Sequence, residues 1–190
     1  MEYIEQVERI YKYLEFNLDF NFMRSMIEMK HEFNNDLNLI GCFFKDYLIV
    51  KNPSKIPDDD KIADEFILYF EDETSKFPCE YSINEIRKYA KYYLSIVFED
   101  FNDENILITV STVNSCFAMQ YYPVIMRLLN KHYNQNLIGR RFKFMLDSLV
   151  DIAIDNFESS DDEVVKVDEI EAKIRKLTVE KSLSAERTLV

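Results

Sequence analysis

The sequence predicts an all-α fold, a helical bundle or a short HEAT-like helix-pair repeat with a C-terminal helical tail. Three observations carry that expectation. Only two glycines and four prolines occur in 190 residues, whereas β-sandwiches and α/β nucleotide folds need many tight turns. Apolar residues recur at three-to-four spacing along most of the chain, which lines them up on helix faces. One stretch occurs twice: residues 38–48 and 136–146 both read N-L-I-G-x-x-F-K-x-x-L, and each follows one of the only two histidines, His31 and His132, in a Lys-His pair. A weaker echo begins at Asn84, so the starts fall 46 and 52 residues apart, near the period of helix-pair repeats. An internal duplication is expected, with Gly41 and Gly139 at equivalent helix starts and Phe44, Leu48, Phe142 and Leu146 as core anchors.

In chain order, Ile4, Val7, Ile10, Tyr11 and Leu14 define a first amphipathic helix over about residues 2 to 15. Asp19 is placed to cap a second, with Phe22, Met23, Met26 and Ile27 on its apolar face, ending in the turn Asn34-Asn35-Asp36. The first repeated stretch opens the third. Pro53 and Pro57 then mark a loop, and Asp58, Asp59 and Asp60 precede a helix carrying Ile62, Phe66, Ile67 and Phe70. Ser82-Ile83-Asn84-Glu85 has the spacing of a capping box and should open the next helix. Residues Ile106 to Val113 are rich in β-branched side chains, yet no second strand is available to pair with them, so a buried helix is expected. Pro123 suits the first turn of a helix through Met126 and Leu129, and the second repeated stretch leads into one reaching about Phe157.

Domain organisation follows composition. Residues 1–157 read as a helical domain and 158–190 as an acidic linker with an amphipathic tail helix. The tail carries Val167, Ile170, Ile174 and Leu177 as an interaction seam, to be covered by this protein, a second copy or a partner.

Composition narrows the function. The hydrophobic fraction of 47%, with 14% aromatics, excludes wholesale disorder. A net charge of −12 disfavours non-specific binding to nucleic acid or an anionic membrane and suits a basic protein partner. No apolar run approaches a membrane span, and the N-terminus is acidic where a signal peptide would be basic. Cys42, Cys79 and Cys116 lie far apart, which reads as reduced, buried thiols in a cytoplasmic protein.

The most informative pattern lies in the charges. Residues 105–146 contain no Asp or Glu, yet Arg127, Lys131, Arg140, Arg141 and Lys143 all fall there. Either acids elsewhere neutralise this stretch within the fold or between protomers, or it binds a phosphate or an acidic partner. No histidine has metal-ligand spacing, no serine sits in a G-x-S-x-G turn, and carboxylate pairs carry no signal in so acidic a chain. No catalytic residue, cofactor or metal is therefore expected. The expected function is a non-enzymatic, acidic protein-interaction module: an inhibitor, an immunity-type factor or a regulatory subunit of a larger complex, with a homo-oligomer allowed. A nucleic-acid-associated protein using the basic 124–143 face is the alternative, and a small helical hydrolase the third reading.

Overall fold

The computed structural model describes residues 3–116, 118–134, 137, 139–159 and 167–187. Among them the chain is all-α, with helices packed in bundles and no strand. The helices are α1 (Tyr3–Asn17), α2 (Phe20–Glu32), α3 (Leu37–Lys51), α4 (Ile62–Lys76), α5 (Cys79–Phe98), α6 (Glu104–Ser115), α7 (Tyr122–Asn134), α8 (Gly139–Ser159) and α9 (Val167–Arg187), with a 3₁₀ turn at Met119–Tyr121. Contacts divide the chain into two compact units, Met1–Leu94 and Ser95–Val190.

Aspartates start three of these helices. Asp19, Asp36 and Asp103 each accept hydrogen bonds from two backbone N–H groups of the following turn, at 2.9 to 3.3 Å. Those donors have no partner inside the helix, so each cap is worth about 1 kcal/mol. Helix α4 lacks a local cap and is served at long range instead: buried Gln6 of α1 accepts from the Ala63 N–H at 3.0 Å. The expected capping box at Ser82 is not formed. Helix α5 begins three residues earlier, at Cys79, directly after Pro78, which leaves the Ser82 hydroxyl buried without a partner. Glu85 turns to Lys51 of α3 at 3.0 Å, and to Lys88. The β-branched run 106–113 is helical and buries Ile106, Val110 and Val113.

In the first unit α3 is the centre, packed on by α1 and α4. It buries Phe43, Phe44 and Tyr47 completely, and each such side chain contributes roughly 1.5–3 kcal/mol. Aromatic rings surround it: Phe44 meets Phe66 edge-on at 4.7 Å, and Tyr47 meets Tyr69 and Tyr89 edge-on at 5.7 Å. In the second unit α8 packs on α6 and α9, and α7 also meets α9.

The two repeated glycines do not occupy equivalent helix starts. Gly41 lies inside α3, where a Cβ would stand 2.3 Å from Tyr3 Cβ, so its role is the close approach of α1. Gly139 is the first residue of α8, with φ +67 and open space around it, so its role is a backbone conformation that L side chains rarely adopt. The anchors hold their expected places, since Phe44, Leu48, Phe142 and Leu146 are all buried.

Candidate functional site

The five cations of the acid-free stretch fall into two groups. Arg127 and Lys131, one turn apart on α7, both reach Glu171 of α9, at 3.0 and 3.2 Å. Arg175 approaches the second oxygen of Glu171 at 3.9 Å, and Arg127 approaches Asp168 at the same distance. Glu171 is only 4% exposed, and a carboxylate so buried is tolerable because cations replace its water. This half of the basic stretch is thus neutralised inside the fold and clamps α9. Arg140, Arg141 and Lys143 are exposed at the head of α8 and make no ion pair with a described residue. Positive charge there opposes the helix dipole, at about 0.3–1 kcal/mol per residue.

The tail seam is covered within the chain. Val167, Ile170 and Ile174 are buried where α9 packs on α7 and α8, while Leu177 is half-buried. Lys181 adds an ion pair to Asp151 of α8 at 2.7 Å. The first two residues of the expected acidic linker, 158 and 159, close α8 instead, and residues 160–166 lie outside the described residues.

The two histidines are placed differently. His132 stacks on Phe142, rings 8° from parallel and 4.1 Å apart, and its Nδ1–H donates to the Leu137 carbonyl, so it staples the α7–α8 turn. His31 is exposed at the end of α2. Buried Ser148 donates to the Phe144 carbonyl of its own helix. All three cysteines are free and half-buried rather than buried, and burial raises the thiols of Cys42 and Cys79. Among the described residues no group of three or more His, Cys, Asp or Glu side chains is placed to hold a metal. No helix among them is long and apolar enough to cross a membrane.

One concave feature among the described residues was not anticipated. An open groove of about 830 Å³ runs between α1 and α2, its apolar lining formed by Val7, Tyr11, Phe16, Met23, Ile27 and Leu37. Tyr11 forms the floor, donating its hydroxyl to the Met26 carbonyl with the Lys30 ammonium over its ring. Phe16 is 78% exposed and Phe20, at the start of α2, 81%. Ile27, expected in the core, is 45% exposed, because α2 buries Met26 and Met29 instead. The signal was present in the sequence: Phe16 falls off the apolar stripe set by Val7, Ile10 and Leu14, where a helix normally places a polar residue.

Comparisons with protein-family models, with curated proteins and with solved structures find no match to this chain.

Proposed function

We propose that this chain is a non-enzymatic protein-interaction module, acting as an inhibitor, an immunity-type factor or a subunit of a larger complex, and that its partner is basic. The observation that carries this reading is the exposure of two large rings, Phe16 at 78% in the lining of an apolar groove and Phe20 at 81% at the start of α2. Contiguous apolar surface rimmed by polar residues marks interaction sites, because water would otherwise have to cover it. Acidity selects the class of partner. Residues 1–94 carry 19 Asp and Glu against 12 Lys and Arg, a formal charge of −7, which repels phosphate backbones and anionic lipid while steering basic proteins inward.

The test is affinity capture from the native cell with the tagged chain and its Phe16→Ser/Phe20→Ser variant, partners being identified by mass. Both side chains are exposed, so the variant keeps its circular dichroism. The expected result is a basic protein retained by the wild type and lost by the variant. Identical capture by the two chains, or none by either, defeats the reading.

A second reading is favoured by Arg140, Arg141 and Lys143, three exposed cations at a helix N-terminus that could engage nucleic-acid phosphates. Arg127 and Lys131 contribute less to it, being engaged with Glu171. Binding to DNA or RNA that weakens steeply with salt and disappears in Arg140→Glu/Arg141→Glu would establish this reading instead.

A further inference from the structure

We infer that the α1–α2 groove receives an amphipathic helix of the partner protein, whose polar flank reads basic, acidic, basic over two turns. This rests on the interaction-module reading above and specifies its partner. The α1 rim of the groove carries Glu8, Lys12 and Glu15. Glu8 and Glu15 are seven residues apart, so they lie on one helix face about 10.5 Å from each other, with Lys12 between them. All three are exposed, and none makes an ion pair with a described residue. Neighbouring charges outside the groove are already engaged: Arg9 with Asp64, Arg24 with Glu28, and Asp19 with the backbone of α2. The α1 rim therefore offers a minus, plus, minus pattern with the period of a helix, Lys30 and His31 lining the α2 side, and a second helix alongside α1 matches that pattern with the opposite signs.

Groove geometry selects a helix over other occupants. Its volume would suit a small molecule, but the groove is open and its lining includes the exposed Phe16 ring. Apolar anchors spaced at three and four positions can fill the space between Tyr11, Met23 and Ile27, as the third helix of a bundle would. An anionic bilayer is opposed by Glu8 and Glu15 on the α1 rim and by the formal charge of −7 on residues 1–94. A second copy docking groove to groove would set the same signs against each other.

The experiment uses the full chain and two labelled peptides, read by fluorescence anisotropy. Both have one leucine stripe; one carries Lys, Glu, Lys along the flank at i, i+4 and i+7, and its twin carries Glu, Lys, Glu. The first should bind at least about tenfold more tightly than the twin, and added salt should shrink the difference. Ile27→Asp, at an exposed position, should weaken it about tenfold or more. Glu8→Lys/Lys12→Glu/Glu15→Lys should reverse the preference, an outcome that misfolding cannot produce. Equal binding of the twins, indifference to Ile27→Asp, or a concentration-dependent rise in mass of the free chain that Ile27→Asp abolishes would each overturn the inference. If the peptides fail while a basic protein is still captured in a Phe16- and Phe20-dependent way, the interaction-module reading stands and only its helical occupant falls.

Discussion

The same eleven-residue pattern lies in α3 of the first unit and at the head of α8 in the second, and the two copies are used differently. In α3 the positions after the glycine include Phe43, which is completely buried at the centre of an aromatic cluster. The matching position in α8 is Arg141, exposed at a helix terminus. Asp46 is a half-buried acid, and its counterpart Phe144 is a half-buried ring. The shared residues Phe44, Leu48, Phe142 and Leu146 anchor one face of each helix, whereas the unshared ones decide whether the other face meets protein or water. A helix enclosed by protein and a helix whose head meets water can thus be written on one framework, and the difference is made by a few side chains.

Exchanging those side chains should break the comparison most severely. Phe43→Arg places a charge in a closed aromatic core and should cost about 4 kcal/mol or more, enough to unfold the first unit in urea, while Arg141→Phe should stay within about 0.5 kcal/mol. Gly41→Ala comes next. Alanine gains helix propensity, but its Cβ meets Tyr3 Cβ at 2.3 Å, so α1 must shift and the net loss should be about 1–3 kcal/mol in chemical denaturation.

Asp46→Asn should act in the opposite direction. Burial pushes the Asp46 carboxyl up to about 8 from its ordinary 3.8. The folded chain then holds this proton more tightly than the unfolded chain, so stability is lost as pH rises from about 4 to about 8 and levels off above. The asparagine variant should match the wild type near pH 4 and exceed it by about 1–2 kcal/mol near pH 8, a gain moderated by the water that reaches this half-buried group. Thermal midpoints at the two pH values decide it. A variant that gains equally at both would remove the charge from the explanation. The smallest effect is expected at Gly139, where φ is +67: Gly139→Ala should cost about 1 kcal/mol and Gly139→Asn less, because asparagine tolerates the left-handed region. Equal costs for the two would mean that the backbone conformation is not what the glycine supplies.

Much of this architecture was legible in the sequence because helices write their period into it. The stripe Val7, Ile10 and Leu14 and the cap Asp19 depend only on residues within a turn or two of each other. Tail positions Val167, Ile170 and Ile174 were equally clear as a seam, but their cover comes from α7 and α8, which no local spacing reveals. Lys131 and Glu171 are 40 residues apart, so the acid-free run was visible while its neutralising partner was not. Ser82 misled because Pro78 starts α5 earlier, and a proline just ahead of a helix outweighs a capping pattern inside it. The groove escaped notice for a different reason: it exists only once Tyr11 and Met26 are brought together across the α1–α2 hairpin.

The aromatic packing around α3 has an optical consequence. The protein has no tryptophan, and nine of its twelve tyrosines, Tyr3, Tyr11, Tyr13, Tyr47, Tyr69, Tyr81, Tyr89, Tyr92 and Tyr93, belong to residues 1–94. Ultraviolet emission is therefore mostly a signal from the first unit, and the edge-on contacts of Tyr47 with Tyr69 and Tyr89 put several emitters close enough to exchange excitation. Backbone dichroism, by contrast, weighs both units by their helical length. Following the two signals through one denaturation sets the melting of the first unit against that of the whole chain without a label or an added fluorophore.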